Sequence, residues 1–366
     1  MNSTVEAFAP DWVSPPGDTI LDLMEEKDWN QVELSNRLGF STKHLNQLIK
    51  GKATLTYETA LKLERVLGST VSFWMKRESK YREHLARLEA EKNYSNWVAW
   101  LDDFPVNELK KLGAIENIRG IQANKPKLVE QMLSFFGVAS PDEWESYYGS
   151  LSGSFRRTKA DQADDRAIAS WLRLGEKQAE DIFAPKYNKP KFESAVKKIR
   201  ELTTLSPEEF EPELSSLCLE AGVKFILVKS VKKSHVSGVA RWLNGHSPAI
   251  QLSLYGKTND KFWFTFFHEV AHILLHADEK KTIFLDDTDF SSENNQELEA
   301  NNWASNILIP DSYKFDLLGL RTKDEILDFS KELNIHPGIT VGRLQHEGQI
   351  SFGSVLNKLK DSFQII

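Results

Sequence analysis

The sequence predicts a multidomain protein that is mainly α-helical and that has an α+β domain at its C-terminal end. Short amphipathic helical segments, each with a capping residue and several followed by a glycine, fill residues 1–92. Helical patterns continue through residues 93–221. Residues 222–366 begin with short apolar runs typical of strands and then return to helices. These three ranges are the predicted domains.

Length and composition narrow the class of protein. A chain of 366 residues is long enough for two or three domains, and its net charge of -7 argues against attraction of the whole chain to nucleic acid. The one cysteine, Cys218, excludes an intramolecular disulfide and fits a reducing compartment. Residues 1–20 lack the apolar core of a signal peptide, and no apolar run approaches the roughly 20 residues that span a bilayer. We therefore expect a cytoplasmic protein without a membrane partner.

Five helices are predicted in the first domain from their caps and apolar spacing. The first starts at Pro15–Asp18, and the others are Gln31–Leu38 after Asn30, Thr42–Ile49 after Ser41, Tyr57–Leu67 after Thr56, and a fifth that begins at Thr70 and continues into a charged connector. Gly39 separates the second helix from the third by a tight turn. Two short helices joined in this way inside a bundle are typical of a helix-turn-helix.

The charge pattern favours DNA binding by this pair of helices. No acidic residue falls between Glu33 and Glu58, and a local positive field of this kind suits phosphate contacts. Polar side chains on the outer face of the third helix are candidates to read base edges. The predicted DNA-binding residues are Gln31, Thr42, Lys43, His44, Asn46, Gln47, Lys50 and Lys52. From composition alone, a solvated face on an ordinary helical bundle explains the pattern equally well.

Residues 16–88 resemble the XRE/Cro-type DNA-binding family, and within it the antitoxins of the HigA group. The matching residues are Pro16-Gly17, Trp29-Asn30-Gln31, Glu33-Leu34-Ser35, Arg37-Leu38-Gly39, Leu45, Leu48-Ile49, Gly51-Lys52, Ala60, Leu63-Glu64, Leu67-Gly68 and Phe73-Trp74. The resemblance implies a lambda-repressor-like bundle that binds a palindromic operator as a homodimer. It places Gln31 at a phosphate and the start of Thr42–Gln47 in the major groove. Antitoxins of this group are often little longer than this domain, whereas this chain continues well beyond it.

The middle segment contains aromatic stripes that predict a helical core. We expect a helix over Ala163–Leu174, a loop over Gly149–Gly153, and a helix cap at Gly175. Cys218 is predicted to be a small buried core residue. The binding of a partner protein or a regulatory ligand by this segment stays open.

A small sheet is predicted before the longest apolar helix of the C-terminal domain. The three runs are Val223–Val228, Gly238–Leu243 and Ala249–Leu254, and Asn244-Gly245 between the last two predicts a hairpin turn. We expect the last of these strands to offer an edge on which an extended peptide could lie.

The helix after this sheet contains the pattern H-E-x-x-H. His268 and His272 lie four residues apart and therefore share one helix face, where they could bind one metal ion. Glu269 could act as a general base towards an attacking water. Apolar flanking residues predict that the helix is buried, and buried polar groups need partners, which a metal provides.

A catalytic zinc ion needs a third protein ligand and an open position. In the helical stretch Glu293–Pro310, Glu297, Ala300, Asn301 and Ala304 share one face, and the small alanines allow close approach to the first helix. Glu297 is the predicted third ligand, and Asn301 is predicted to support a ligand from behind. Glu299 points about 160° away and is the poorer candidate.

His276 lies one further turn along the same helix. A displacement of about 6 Å per four residues places it too far from the same ion, so we expect it to support the ligands or the structure. A donor that stabilises the transition state is also needed, and Tyr313, His336 and His346 are candidates among which the sequence does not choose.

This half of the chain resembles the ImmA/IrrE metallopeptidase family. The matching residues are Phe264-Thr265, His268-Glu269, His272, Leu274-Leu275-His276, Glu297, Ala300-Asn301, Trp303-Ala304 and Ile307-Leu308-Ile309-Pro310, with Trp303 where the family usually has Phe. The resemblance implies a zincin-like fold of the gluzincin type, with Zn²⁺ held by His268, His272 and Glu297 and with Glu269 as base. Members are often fused to or paired with XRE-type domains. In some of them the output is cleavage of a transcriptional repressor, and in others the peptidase is not shown to be active.

Together these features predict a DNA-binding regulator of antitoxin type that carries a zinc metallopeptidase domain, with a toxin or a repressor protein as partner or substrate. One alternative is a site-specific zinc endopeptidase that acts on a regulatory protein and uses the helix-turn-helix for targeting. Another is a sensor or toxin-binding module with a vestigial metal site. A third, weaker alternative is a helical bundle that only dimerises.

Overall fold

The computed structural model describes residues 14–155, 164–243, 246–253, 258–276, 284–287 and 295–363. Two compact units are present. The first consists of residues 14–98 together with 125–127, and the second contains the other described residues from 99 onwards. The predicted fold class, mainly α with a C-terminal α+β region, is confirmed.

The first unit is the predicted five-helix bundle. Its helices are α1 (Pro16–Glu26), α2 (Gln31–Leu38), α3 (Thr42–Ile49), α4 (Tyr57–Leu67) and α5 (Val71–Asn96). Asn30, Ser41, Thr56 and Thr70 each accept a hydrogen bond from the backbone of the first turn that follows them. The predicted helix starts are therefore confirmed, and α5 continues through the predicted connector.

A close contact between α1 and α3 depends on one glycine. A Cβ atom added to Gly17 would lie 1.9 Å from the carbonyl oxygen of Ile49, well inside van der Waals contact. Ile20, Leu45 and Trp74 are completely buried behind this contact. The bundle therefore holds α3 against α1 with almost no freedom to shift.

The segment after α3 is fixed by a buried ion pair on α5. Glu78 is 4% exposed and accepts hydrogen bonds from the backbone N–H of Leu55, at 3.1 Å, and from Nε of Arg82, at 2.8 Å. Arg82 also donates to the carbonyl of Ala53. The chain beyond the third helix is thereby held close to α5.

The second unit contains the remaining helices of the described chain, apart from residues 125–127 at the start of one of them, and a mixed sheet. The helices are α6 (Val106–Lys111), α7 (Lys125–Phe136), α8 (Pro141–Phe155), α9 (Asp165–Glu180), α10 (Lys189–Glu201), α11 (Pro207–Glu220), α12 (Asn259–Leu275), α13 (Asn295–Leu308), α14 (Lys314–Gly319), α15 (Lys323–Glu332) and α16 (Pro337–His346). Short 3₁₀ turns lie at Val98–Asp103, Gln122–Asn124, Leu202–Thr204, Asp311–Tyr313 and Val355–Leu359.

Two glycine-based predictions for the middle segment are wrong. The expected loop at Gly149–Gly153 is part of α8. Trp144 and Tyr148, one turn apart on this helix, are buried and stack with ring centroids 5.6 Å apart. This core packing outweighs the weak helix propensity of the two glycines. Gly175 does not cap a helix but lies inside α9. Its missing side chain makes room for Gln251, whose Oε1 would be 1.9 Å from an added Cβ.

The sheet has four strands among the described residues and the order β1-β3-β2-β4. The strands are β1 (Lys224–Leu227), β2 (Val236–Leu243), β3 (Ser247–Leu252) and β4 (Phe284–Asp287). β1 is parallel to β3, whereas β2 is antiparallel to both β3 and β4. The predicted Asn244-Gly245 turn lies outside the described residues.

The predicted edge position of the last strand before α12 is therefore wrong. β3 is internal, because β1 pairs with one side of it and β2 with the other. β4, which follows α12 in the chain and was not predicted, covers the free side of β2. The register of β2 and β4 shifts between Val236 and Gly238, which is a bulge or irregularity in the strand.

The sheet separates two apolar cores. One contains α12 together with α10 and α11, including Phe192, Leu214 and Phe266. This core therefore includes residues from both sides of position 222, where the predicted C-terminal domain begins. The other contains α9 and the opposite face of the sheet, including Trp171 and Val239. Cys218 is buried in the first core, as predicted. None of the described helices is both long and apolar enough to cross a bilayer.

Candidate metal centre and DNA-binding surface

α12 places three polar side chains in the middle of an apolar core. Phe266, Val270 and their neighbours on this helix are completely buried, and the helix packs against the sheet and α13. His268, Glu269 and His272 are only 1%, 0% and 2% exposed. Because these groups are shielded from bulk solvent, most of their hydrogen-bonding and charge requirements must be met inside the fold.

The structure brings His268, His272 and Glu297 together. Nε2 of His272 lies 2.9 Å from Nε2 of His268, and the two carboxylate oxygens of Glu297 lie 3.1 Å from His268 Nε2 and 3.5 Å from His272 Nε2. One ligand atom from each residue lies within 4.8 Å of the others, which is close enough to hold a single metal ion. Two imidazoles and a carboxylate form a donor set that zinc accepts with a position left open.

Close packing of α13 on α12 positions Glu297. Ala300 and Ala304, on the same face as Glu297, are completely buried. Their small side chains let the two helices approach, so that a glutamate of ordinary length reaches both histidines. This is the arrangement that the spacing of Glu297, Ala300, Asn301 and Ala304 predicts.

The protonation states of the cluster suit a cation. Burial lowers the pKa of His272 to about 4, so the ring is neutral at pH 7 and retains a lone pair. Burial alone would raise the pKa of Glu297, but hydrogen bonds from His268 and His272 outweigh it and bring the pKa to about 2. A neutral imidazole and an ionised carboxylate are the forms that ligate metals.

Each histidine of the cluster has a partner at its other ring nitrogen. Nδ1 of His268 lies 2.9 Å from Oδ1 of Asn301, the residue predicted to support a ligand. Nδ1 of His272 lies 3.1 Å from Nδ1 of His276, whose Nε2 lies 3.2 Å from Oε2 of Glu299. The sequence did not pair Glu299 with His276, because the contact depends on how α12 and α13 pack.

Glu269 lies against the backbone of β2. A Cβ atom added to Gly238 would be 2.8 Å from Oε1 of Glu269 and 2.6 Å from Cγ2 of Thr265. Any side chain larger than that of glycine at position 238 would therefore crowd the carboxyl group of Glu269. This role of Gly238 is not predicted above, although a glycine inside a strand pattern often marks such a close approach.

Basic side chains of α10 donate hydrogen bonds to carbonyl groups at the C-terminal ends of α12 and α13, the two helices that contribute to the cluster. Nζ of Lys189 donates to the carbonyl of Leu274 at 2.8 Å, near the end of α12. Arg200 donates to the carbonyls of Ile307 and Leu308, at 2.7 and 3.0 Å, at the end of α13. Cations suit the open carbonyls at a helix C-terminus, so α10 helps to fix how far each helix extends. Sequence reasoning gave no sign of these contacts.

The three candidates for a transition-state donor lie in different places. His336 contacts Asn259 at the start of α12, and its Nε2 lies 2.9 Å from Asp361. The ring of Tyr313 packs edge-on against Phe329. His346 is exposed at the end of α16.

In the first unit, the predicted DNA-binding residues gather around α3. Thr42, Lys43 and Gln47 are exposed on this helix, and Lys50 and Lys52 are exposed just after it. Leu45, Leu48 and Ile49 bury the opposite face. The polar face of α3 is therefore accessible to a binding partner.

Gln31 and Asn46 connect the two helices of the motif. Nδ2 of Asn46 lies 3.5 Å from Oε1 of Gln31, and both side chains are half-buried. His44 is also half-buried, because its ring packs edge-on against Phe40 with centroids 5.0 Å apart. All eight predicted residues lie on or beside α2 and α3.

Comparison with known proteins matches both units to families. Residues 222–360 match the IrrE N-terminal-like domain, a peptidase family, and residues 20–74 match the helix-turn-helix family. The uncharacterised HTH-type transcriptional regulator YddM of Escherichia coli (strain K12) is 31% identical over 77 residues, which are 21% of this chain and 78% of that protein. No solved structure matches this chain.

The two matches fall on the features described above. The helix-turn-helix match includes α2 and α3, and the peptidase match includes His268, Glu269, His272 and Glu297. The chain therefore belongs to the HTH-type transcriptional regulators and joins an XRE-type DNA-binding domain to an IrrE/ImmA-type peptidase domain.

Proposed function

We propose that this protein is a transcriptional regulator whose C-terminal domain is a zinc-dependent endopeptidase acting on a regulatory protein. The observation that carries the proposal is the buried cluster of His268, His272 and Glu297, with the carboxyl group of Glu269 next to it in the sequence and equally buried. A site that only bound a structural metal would not need a buried carboxylate beyond the ligands. The retained Glu269 therefore favours catalysis over a vestigial site.

The proposed reaction is hydrolysis of a peptide bond. His268, His272 and Glu297 would hold the zinc ion, which would supply a Lewis acid that polarises the carbonyl and acidifies a water molecule. Glu269 would take a proton from this water as its oxygen attacks the carbonyl carbon, and would pass the proton to the amide nitrogen. The carbon–nitrogen bond would then break to give a carboxylic acid and an amine, which are present at pH 7 as a carboxylate and an ammonium group.

The first unit supplies the DNA-binding half of the proposal. We propose that a homodimer binds a palindromic operator, with α3 in the major groove and Gln31, Lys50 and Lys52 at phosphates. The exposed polar face of α3 and the absence of acidic residues between Glu33 and Glu58 support this placement. The proposed antitoxin type, with a toxin as partner, rests on the resemblance of residues 16–88, and a repressor protein as partner or substrate rests on the resemblance of the C-terminal half to the ImmA/IrrE family. We propose a cytoplasmic location, which the single cysteine supports.

Replacement of Glu269 by Gln tests the peptidase. The amide cannot accept the proton, and loss of a general base costs about 10²- to 10⁴-fold in rate, whereas the three ligands are unchanged. We expect Glu269→Gln to bind zinc like the wild type and to lose cleavage of a co-expressed operon partner, measured by mass spectrometry of the partner's fragments. A matched control is Glu332→Gln, an exposed carboxylate at the end of α15.

The possible results separate the proposed activities. Cleavage that persists in Glu269→Gln at the wild-type rate would exclude the proposed mechanism. If wild type and variant both repress the operon and neither cleaves its partner, the protein is a binding module with a non-catalytic metal site. Cleavage by the wild type and by Glu332→Gln alone supports the endopeptidase.

A further inference from the structure

We infer that Glu299 is a positioning residue of the metal centre, which acts through His276 to present the correct ring nitrogen of His272 to the metal. The inference rests on the proposed zinc site and adds to it a residue that neither ligates nor reacts. It starts from two contacts in series, of 3.1 Å between His272 and His276 and of 3.2 Å between His276 and Glu299.

A neutral imidazole has one N–H and one lone pair, so the partner of one nitrogen decides what the other can do. For His268 the choice is simple. Its Nδ1 faces the amide oxygen of Asn301, which only accepts, so Nδ1 carries the hydrogen. Nε2 then presents the lone pair that a bound metal ion would need, whereas without a metal the carboxylate of Glu297, at 3.1 Å, competes for a hydrogen on this nitrogen.

For His272 the immediate partner does not determine which ring nitrogen carries the hydrogen. Nδ1 of His272 meets Nδ1 of His276, and either nitrogen could be the donor. If His276 donated, His272 would carry its hydrogen on Nε2, which points into the cluster and could not then bind a metal. If His276 accepts, His272 presents its Nε2 lone pair to the metal. A third group has to settle the direction.

Glu299 is that group. A carboxylate only accepts hydrogen bonds, so Nε2 of His276 must be the donor towards Oε2 of Glu299. With its hydrogen on Nε2, an uncharged ring of His276 has its lone pair on Nδ1 and can accept from His272. The hydrogen bonds therefore all run in one direction, from His272 to His276 to Glu299.

Burial makes this series hard to replace by solvent. The side chains of His272 and His276 are 1% and 6% exposed, whereas Glu299 is 65% exposed. Water therefore reaches only the outer carboxylate. A hydrogen bond to an ionised acceptor is also stronger than one to water or to a neutral group. Groups that orient metal-binding histidines in this way typically change metal affinity by about 10- to 100-fold when removed.

Substitution at Glu299 tests the inference in the full-length protein. We expect Glu299→Ala to weaken zinc binding by about 10-fold, measured by competition with a chromogenic chelator. Glu299→Gln retains an oxygen acceptor and should remain within about threefold of the wild type. Because position 299 is largely exposed, both variants should fold, and the exposed Glu332→Ala serves as the control for loss of a surface charge.

A second readout follows the ring hydrogens themselves. Long-range ¹H–¹⁵N NMR spectra of the metal-free protein, with histidine labelled, distinguish the two neutral forms of each ring. In the metal-free protein the carboxylate of Glu297, 3.5 Å from Nε2 of His272, competes for the ring hydrogen. We expect the form of His272 with hydrogen on Nδ1 to be the larger population in the wild type, and the two forms to become more evenly mixed in Glu299→Ala. Glu332→Ala should match the wild type.

The outcomes separate this inference from the proposed function. If the wild-type protein does not bind zinc, the proposed function itself fails. If the wild type binds zinc and Glu299→Ala binds it equally well with an unchanged His272 form, the role of Glu299 is excluded while the peptidase proposal stands. Weaker binding together with a mixed His272 form in Glu299→Ala, rescued by Gln, supports the inference.

Discussion

Gly238 shows how a single missing side chain shapes the candidate site. A Cβ atom added at position 238 would lie only 2.8 Å from Oε1 of Glu269, which is closer than van der Waals contact allows. β2 also bulges or shifts register beside this glycine, between Val236 and Gly238. Irregularities of this kind often occur next to active sites, because they change the direction of a strand without ending it.

We predict that Gly238→Ala impairs catalysis and spares the metal. The added methyl group forces Glu269 or Thr265 to move, and a displacement of about 1 Å in a catalytic group can lower a rate by about 100-fold. Zinc affinity should stay close to the wild-type value, because the three atoms nearest to the added Cβ belong to Thr265, Glu269 and Leu252, none of which is a predicted ligand. Parallel measurements of peptide cleavage and of chelator competition check both parts.

Gly319→Ala is the matched control for this substitution. Gly319 ends α14, and an added Cβ there would meet no atom within 4 Å. If Gly238→Ala cleaves as fast as Gly319→Ala, then Glu269 does not depend on this contact, and its predicted role as the base loses its structural support.

At the scale of elements, local signals and long-range contacts differ in how much the sequence reveals. The helices α2, α3 and α4 begin where Asn30, Ser41 and Thr56 predict, because each cap bonds to a backbone group within its own first turn. In contrast, β4 escaped prediction, since its strand character depends on pairing with β2 across the whole of α12. Gly175 was mistaken for a cap because its partner, Gln251, is distant in the chain.

The candidate site follows the same rule. His268, His272 and Glu297 could be predicted because helix periodicity alone aligns the residues of each motif on one face. Glu299, Lys189 and Arg200 could not, because their contacts arise only when three helices pack together. The sequence therefore predicts the candidate ligands, and the structure adds the groups that contact them.

For the helix-turn-helix element, we predict that the exposed face of α3 carries specific DNA binding. Replacement of Lys43, Asn46 and Gln47 by Ala should abolish binding to the operator of its own gene, because each lost base or phosphate contact costs about 1–3 kcal/mol. Lys43→Ala alone should also make the dependence of affinity on salt less steep. Electrophoretic mobility shifts at several salt concentrations measure both effects.

Lys80→Ala provides the control for loss of a positive charge. Lys80 is exposed on α5 and lies outside the helix-turn-helix pair. Operator binding that survives the triple substitution in α3 would show that DNA is bound by another surface, or that the bundle has a different role.

At the scale of the whole molecule, one chain combines a DNA-binding domain with a peptidase domain. A linked arrangement raises the effective concentration of one activity near the target of the other. A peptidase attached to an operator-binding domain would therefore act preferentially on proteins that gather at that operator. The proposed peptidase would then have a regulatory rather than a digestive output.

Metal analysis of the purified protein tests whether the cluster of His268, His272 and Glu297 is a zinc site. We expect about one zinc ion per chain by inductively coupled plasma mass spectrometry, and loss of most of it in a folded Glu297→Ala variant, because removal of one of three ligands sharply weakens such sites. Wild-type protein that stays free of metal after incubation with Zn²⁺ at pH 7, or zinc that is retained in full by Glu297→Ala, would exclude a zinc site at this cluster.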